Sequence, residues 1–125
     1  MQTILLDHFY KIDSLQKESN GISAKVTFDT AHPIFLGHFP DMPIVPGVCQ
    51  TQMLGEVIGK AFDTNFQLKT AASIKFLSPV DPNKHASLNM NINFTKEADG
   101  SYNVTAQYLW EATIFFKFKG SYSAS

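Results

Sequence analysis

The segment GHFPDMPIVPGVCQTQMLGE, residues 37–56, changes from a proline-rich stretch into a run with helical periodicity. Prolines at positions 40, 43 and 46 each remove a backbone N–H and restrict the residue before them, so they predict an irregular loop over about residues 30–45. Beyond this loop, apolar side chains recur every three or four positions, as on the buried face of a helix. We therefore predict a helix from about Pro46 to Phe62, with Pro46 at its first position.

Alternating apolar and polar residues on both sides of this helix predict β-strands. Residues 22–28 alternate before it, and strand-like segments follow it at residues 68–80, 86–96, 102–110 and 113–124. Turn residues such as proline, asparagine and glycine separate the later segments. The order of strand, loop, helix and several antiparallel strands in a meander predicts one α+β domain over residues 1–125, with the helix against one face of the sheet.

Charge and composition disfavour several classes of partner. All ten basic residues are lysines, the formal net charge is -1, and the charges are scattered, so neither nucleic acid nor an anionic membrane is favoured. A single cysteine, Cys49, excludes an internal disulfide and fits a reducing compartment. The N-terminal residues show neither a basic leader nor a long apolar run. We expect a soluble, cytoplasmic protein.

His38 and the start of the predicted helix are the first candidates for chemistry. Imidazole titrates at about pH 6.5, so a partly desolvated His38 is suited to accept a proton at neutral pH. The first N–H groups of a helix have no intrahelical acceptor, and Gly47 has no side chain to cover them. The N–H groups of Gly47 and Val48 are therefore suited to bind a carbonyl oxygen that gains negative charge. The alternative for His38 is a loop histidine locked by backbone hydrogen bonds.

Two segments resemble a known enzyme family. GHFPDMPIVPGV at residues 37–48 resembles the signature GHFPxxPxxPGV of the β-hydroxyacyl-(acyl carrier protein) dehydratases of the FabZ/FabA type. KFLSPVDP at residues 75–82 resembles the segment RFxxPVxP of the same family. The resemblance implies a hotdog fold, in which a curved antiparallel β-sheet is wrapped around one long central α-helix. It also implies a homodimer or higher assembly whose acyl-binding tunnels run along the subunit interface.

The implied reaction removes water from a 3-hydroxyacyl thioester to give a trans-2-enoyl thioester, in fatty acid, polyene or polyketide synthesis. The thioester would be carried by acyl carrier protein or coenzyme A, and no cofactor is expected. In this family the residue matching His38 acts on the α-carbon, and an acid on the helix of the facing subunit assists departure of the hydroxyl. Phe39, Pro46, Gly47 and Val48 would bind substrate. Apolar neighbours would extend the wall around the acyl chain, namely Phe35, Ile44 and Val45.

The sequence departs from the family pattern at the acid. The family carries glutamate or aspartate fourteen residues beyond the histidine, and this chain has Gln52 there. An amide can orient a hydroxyl group or a water, but it does not release a proton near pH 7. Glu56 lies one turn further along the same helix face. Family members with the glutamate commonly carry glutamine at that position, so the two side chains look exchanged.

Three explanations of this exchange are open. Glu56 acts as the acid, directly or through a water held by Gln52, or His38 carries the proton alone while Gln52 orients the leaving group. In the third explanation the chain is a weak or inactive subunit that depends on a related partner for the acid. The plain structural alternatives are a surface ion pair between Glu56 and Lys60, and a Gln52 that serves as a polar interface residue.

Two other functions remain as alternatives to the dehydratase. The first is a non-catalytic subunit that binds acyl groups or forms a heterodimer with an active homologue. The second is thioester hydrolysis, in which Glu56 activates water and His38 takes no part.

A few further residues bear on the site. No metal site is predicted, because His32, His38 and Cys49 lack the short spacing typical of ligand pairs. Cys49 lies on the apolar row of the helix and is expected in the core. Gly55 and Gly59 each weaken a helix, so they predict close approach of another backbone, unless they are neutral drift.

Overall fold

The structure, a computed structural model, describes residues 4–37 and 43–124, so His38 and Phe39 lie outside the described residues. Within these ranges one antiparallel sheet of six strands and two helices are present. The strands cross the sheet in the order β1-β2-β4-β5-β6-β3. The elements are β1 Tyr10–Lys17, β2 Gly21–Phe28, α1 Pro33–Gly37, α2 Gly47–Phe62, β3 Phe66–Phe76, β4 Ser87–Lys96, β5 Tyr102–Trp110 and β6 Thr113–Ala124.

The predicted helix and the strands that follow it are confirmed, with three corrections. The first is that α1 interrupts the predicted irregular loop. The second is that Pro46 is the N-cap of α2 rather than its first helical residue. The third is that the strands after α2 do not form one meander, because β3 pairs with β6 at the far edge of the sheet and β4 pairs with β2.

The sequence pattern does not predict the first strand, β1. Its register with β2 shifts between Ile12 and Ser14, so the alternation of side chains changes face partway along the strand. Ile12 and Leu15 are half-buried, whereas the other residues after Tyr10 are exposed. A strand with a bulge and few apolar side chains has no clean period of two.

The core lies between α2 and the inner face of the sheet. The helix buries one stripe of side chains, and β2 and β4 bury every second residue, which is the pattern of a helix packed on a half-buried sheet. The buried stripe of α2 consists of Cys49, Gln50, Met53, Leu54, Val57 and Ile58. Among the described residues, no helix is both long and apolar enough to cross a bilayer.

The edge of the sheet formed by β3 exposes large apolar side chains. β3 has a neighbour on one side, β6, and most of its residues are exposed. Leu68, Ile74 and Phe76 are large apolar residues on this strand, and they are 41%, 36% and 53% exposed. A long, exposed, apolar edge strand is a surface that pairs readily with another chain.

Candidate functional site

The face of α2 opposite its buried stripe lines a cleft of ≈ 590 Å³. The N-terminal segment and the start of β3 form the facing walls. From the helix the cleft is lined by Val48, Thr51, Gln52, Gly55, Glu56, Gly59 and Lys60, and from the walls chiefly by Ile4, Leu6, Phe66 and Leu68. A mixed wall of apolar, small and polar side chains is suited to a ligand with an apolar body and one polar end.

Gln52 and Glu56 are in contact on the helix wall of this cleft, as their spacing predicts. The side-chain amide of Gln52 donates a hydrogen bond from Nε2 to Oε2 of Glu56, at 3.0 Å. Both side chains are partly buried. The two residues that look exchanged relative to the family are therefore joined to each other.

The Glu56 carboxylate also binds the N-terminal segment. The backbone N–H of Leu5 donates to Oε2 at 2.8 Å, and the N–H of Leu6 donates to Oε1 at 3.0 Å. The hydroxyl of Tyr10 donates to Oε1 at 2.9 Å. With the bond from Gln52, each carboxylate oxygen accepts two hydrogen bonds.

These contacts replace the surface ion pair considered for Glu56. Within the part of the chain that the structure describes, no salt bridge joins Glu56 to Lys60, which is exposed. Hydrogen bonds from neutral backbone and side-chain donors satisfy the carboxylate instead. Charge-assisted bonds of this kind are about twice as strong as bonds between neutral groups.

Burial governs the titration of the groups around Glu56. Desolvation raises the pKa of the Tyr10 hydroxyl above its ordinary value, and the neighbouring Glu56 carboxylate raises it further. The phenol therefore stays protonated and remains a donor at neutral pH. Burial also raises the pKa of the Cys49 thiol, with a smaller contribution from Glu56. Cys49 is a core residue, as expected, and not an activated nucleophile.

The start of α2 carries N–H groups of the kind that the sequence predicts. The carbonyl of Pro46 accepts bonds from the N–H groups of Cys49 and Gln50, at 3.0 and 3.1 Å, and no side chain caps the helix. Among the described residues, no acceptor is matched to the N–H of Gly47 or of Val48. The side chain of Val48 is 72% exposed, at the end of the cleft nearest the helix start.

Gly47 also has a packing reason to be glycine. A Cβ at this position would lie 2.8 Å from Cζ of Phe76, the last residue of β3. The aromatic ring therefore occupies the space that a side chain would need. Gly47 allows the close approach of Phe76 to the helix start, whether or not its N–H binds a ligand.

The two segments that carry the family resemblance meet beside the helix start. The backbone N–H of Val45 donates to the carbonyl of Val80 at 2.9 Å, and both side chains are buried. Phe76, in the second segment, packs against Gly47 in the first. The second segment thus supports the residues that enter α2, and the shared sequence pattern has a structural cause.

The apolar wall predicted around the acyl chain differs in part from the structure. Phe35 is 3% exposed and stacks on Phe9, with ring centroids 5.1 Å apart. Val45 is 1% exposed. Both are core residues, and neither lines the cleft along α2. Ile44 is half-buried, and Phe39 lies with His38 outside the described residues.

The two helix glycines on the cleft differ from each other. A Cβ at Gly59 would lie 2.8 Å from the carbonyl oxygen of Thr64, so the predicted close approach of another backbone is confirmed there. A Cβ at Gly55 would make an ordinary contact, 3.5 Å from the ring of Tyr122. The prediction is wrong for Gly55, which faces the cleft and a side chain.

Sequence reasoning missed Tyr10 and the N-terminal residues as parts of the site. Tyr10 contacts Glu56 across a separation of 46 residues, and Leu5 contacts it across 51. Backbone donors carry no side-chain signature, so nothing in the sequence of Leu5 or Leu6 could indicate their role. The weak alternation of β1 hid Tyr10 as well.

Comparisons with known proteins agree with the resemblance seen in the motifs. A family model described as ApeI-like, ApeI dehydratase, matches residues 14–112. The 3-hydroxyacyl-[acyl-carrier-protein] dehydratase FabZ of Chlamydia pneumoniae is 28% identical over 131 residues, covering 90% of this chain and 86% of the relative.

Solved structures share the fold. The dehydratase heterocomplex ApeI:P from Xenorhabdus doucetiae matches with a TM-score of 0.74 at 18% identity, covering 90% of this chain and 96% of that chain. A hypothetical thioesterase protein with coenzyme A from Streptococcus pneumoniae TIGR4 matches with a TM-score of 0.66 at 9% identity, covering 93% and 85%. The predicted resemblance is confirmed, and an antiparallel sheet with one long helix is the fold in common.

Proposed function

This chain belongs to the ApeI-like dehydratase family, and from that premise we propose that it removes water from a 3-hydroxyacyl thioester to give a trans-2-enoyl thioester. The acyl group would be carried by acyl carrier protein or coenzyme A, in fatty acid, polyene or polyketide synthesis in the cytoplasm. The observation that carries the proposal is the position of Gln52 on the cleft wall, one turn beyond the N–H groups of Gly47 and Val48.

The elimination needs a base, a site for the developing negative charge and a path for the leaving hydroxyl. His38 removes a proton from the α-carbon, and the electrons of that C–H bond move toward the thioester carbonyl; they then form the double bond as the bond from the β-carbon to oxygen breaks. The N–H groups of Gly47 and Val48 bind the thioester oxygen while it gains enolate character. His38 then delivers the same proton to the departing hydroxyl, which leaves as water.

Gln52 orients the hydroxyl in this scheme. Its amide offers an acceptor and donors but no acidic proton, so it can fix the leaving group without protonating it. Phe39, Pro46 and the exposed side chain of Val48 provide apolar contacts near the thioester. The acyl chain follows the cleft along α2 past Gly55, where the absence of a side chain leaves room.

We also propose that two copies of the chain form the working unit. The exposed edge β3, with apolar Leu68, Ile74 and Phe76, supports pairing with the same edge of a second copy. Such pairing would cover the cleft along α2 and exclude water from the acyl chain. A curved sheet wrapped around α2 in each subunit completes this proposed hotdog dimer, and higher assemblies would build on it.

A second candidate is a weak or inactive subunit that forms a heterodimer with an active homologue. Gln52 in place of the family's acid supports it, because the amide has no proton to give near pH 7. The relative from Xenorhabdus doucetiae is a dehydratase heterocomplex, which is a precedent for such pairing. The partner would then supply the missing carboxylic acid.

Thioester hydrolysis is less well supported by the geometry. A carboxylate that activates water must offer an oxygen to that water, and both oxygens of Glu56 already accept two hydrogen bonds each. Release of free thiol is the product that distinguishes hydrolysis from hydration.

In the test, purified protein is incubated with a trans-2-enoyl thioester. Two reactions are measured: hydration, by loss of the enoyl group, and hydrolysis, by release of free thiol. Hydration by the wild type that falls about 100-fold or more in His38→Ala supports the dehydratase. Free thiol that disappears in Glu56→Gln but persists in His38→Ala would identify a thioesterase. The chain would be an auxiliary subunit if the wild type alone is inactive. Activity would then appear in Gln52→Glu or after a homologous subunit is added.

A further inference from the structure

We propose that Glu56 is a positioning residue that holds the Gln52 amide in one orientation, and that the hydroxyl of Tyr10 fixes Glu56 for this purpose. The inference rests on the proposed dehydratase function and assigns a role to Tyr10, which the sequence analysis did not single out. Glu56 would act on the substrate through Gln52 rather than as the proton donor itself.

The hydrogen bond between the two side chains has a fixed direction. An ionised carboxylate has acceptors and no donors, so it can bind the NH₂ group of Gln52 but not its oxygen. The observed bond runs from Nε2 of Gln52 to Oε2 of Glu56 at 3.0 Å. The carbonyl oxygen of the amide is therefore on the side away from Glu56. An amide without such a neighbour can rotate by 180° and exchange its acceptor for a donor.

Glu56 itself is held from several directions. Two donors, the N–H groups of Leu5 and Leu6, belong to the backbone of one segment, and a third, the hydroxyl of Tyr10, belongs to β1. Tyr10 is 2% exposed, so its ring is fixed by packing. A carboxylate held by three donors besides Gln52 has little freedom to turn. The fixed carboxylate in turn holds the Gln52 amide through the bond from Nε2.

Glu56 also holds one wall of the cleft. Ile4 and Leu6 line the wall opposite the helix, and the backbone bonds from Leu5 and Leu6 to Glu56 hold that segment in place. The same carboxylate thus fixes an apolar wall and the polar group that would face the hydroxyl of a substrate. Because Glu56 positions both the apolar wall and the Gln52 amide, the reacting part of the substrate is kept in a constant geometry.

The activity test is a double-mutant cycle in the hydration of a trans-2-enoyl thioester. If Glu56 acts through Gln52, Glu56→Gln lowers kcat about tenfold in the wild-type background and less than about twofold in the Gln52→Ala background. Tyr10→Phe lowers kcat about threefold to tenfold and leaves KM within about twofold. The matched control is Tyr102→Phe, in the aromatic cluster beside Phe62, which keeps wild-type kcat.

Equal losses from Glu56→Gln in both backgrounds would overturn the proposal, because Glu56 would then act independently of Gln52. If Tyr10→Phe keeps the wild-type kcat, the hydroxyl of Tyr10 has no part in positioning Glu56. Thermal unfolding of each variant separates a loss of fold from a loss of positioning, since a purely structural role lowers the melting temperature without producing the dependence on Gln52.

A second measurement does not need activity and so separates this proposal from the proposed function. The side-chain NH₂ signals of Gln52 in an NMR spectrum of ¹⁵N-labelled protein are identified by their absence in Gln52→Ala. We expect these signals to shift and their hydrogen exchange to quicken in Glu56→Gln and Tyr10→Phe, and to stay unchanged in Tyr102→Phe. Signals that do not respond to Tyr10→Phe would refute the positioning role even if the wild type proves inactive as an enzyme.

Discussion

The carbonyl oxygen of Thr64 lies where the side chain of Gly59 would be, 2.8 Å from the position of a Cβ. Thr64 reaches this place because the chain turns sharply after α2. Asp63, at the C-cap, has a positive φ of 53°, and the N–H of Thr64 donates to the carbonyl of Gly59 at 3.0 Å. The last turn of the helix and the entry into β3 are thus packed backbone against backbone.

Alanine substitutions at the two helix glycines should have opposite effects on stability. Gly59→Ala forces the backbone of Thr64 to move, and we expect a loss of about 1–3 kcal/mol in the free energy of unfolding. In Gly55→Ala the new Cβ lies at an ordinary distance from the ring of Tyr122. The higher helix propensity of alanine should therefore raise the free energy of unfolding by about 0.5–1 kcal/mol. Urea unfolding at equal protein concentration measures both, and equal effects would contradict this account of the helix.

Substitution by phenylalanine at two buried tyrosines should have different effects on the free energy of unfolding at neutral pH. Tyr10→Phe removes a donor from Glu56, and we expect a loss of about 1–2 kcal/mol. The hydroxyl of Tyr122 is buried and has no hydrogen-bond partner among the described residues, so Tyr122→Phe should be neutral or stabilising by up to about 1 kcal/mol. The measurement is urea unfolding at pH 7, and a larger loss in Tyr122→Phe would mean that its hydroxyl has a partner.

Three buried tyrosines should make the protein less stable in alkali. Burial raises the pKa of Tyr10, Tyr108 and Tyr122 in the folded chain above the value of about 10 in the unfolded chain. Above about pH 10 the unfolded chain loses protons that the folded chain keeps, so stability falls as pH rises. Between pH 9 and 11, each phenylalanine substitution at Tyr10 or Tyr122 should remove about 1.4 kcal/mol in total from this loss of stability. Unfolding curves between pH 9 and 11 would show no change in slope if these hydroxyls titrated normally.

A charge on the free edge of the sheet should break the proposed dimer. Ile74 pairs with buried Phe118 and therefore faces the inner side of β3, whereas Lys75 faces the outer side. Ile74→Lys should weaken self-association at least about 100-fold, because a charge at the centre of an apolar interface is left without a partner. Lys75→Gln is the matched control. Light scattering after gel filtration measures the mass, and a dimer that survives Ile74→Lys would place the interface elsewhere.

A carboxylic acid at position 52 should restore the missing proton donor. In Gln52→Glu the new side chain would lie against Glu56, and two carboxyl groups in contact cannot both ionise, so one of them keeps a proton near neutral pH. We expect hydration of a trans-2-enoyl thioester to rise at least about tenfold. The control is Gln52→Glu combined with Glu56→Gln, which restores the family's order of acid and amide. A fall in rate in both variants would show that the amide suits the native reaction better than an acid.

Much of the site could be predicted from local patterns. The spacing of four residues placed Gln52 and Glu56 on one face of a helix, and the structure joins them by a hydrogen bond. The period of the apolar residues gave α2 to within one residue at its start. These features follow from the geometry of the helix itself, which is the same in every protein.

The partners of Glu56 could not be predicted in this way. The ion pair with Lys60 was a reasonable local expectation, but the carboxylate binds Leu5, Leu6 and Tyr10 from the other end of the chain. Local patterns could not predict that β3 pairs with β6 either, because nothing in the residues of β3 identifies its neighbouring strand.

By itself, the amino-acid sequence determined the class of fold, the helix with its polar face and the family to which the chain belongs. Each of these depends on residues close together in the chain, whose spacing is set by the helix, the strand or the proline-rich loop. The tertiary structure decided what the acid on that helix binds. A carboxylate in a partly buried cleft takes the donors that the packed chain brings to it, and here these come from the backbone of the N-terminal segment and from a buried tyrosine.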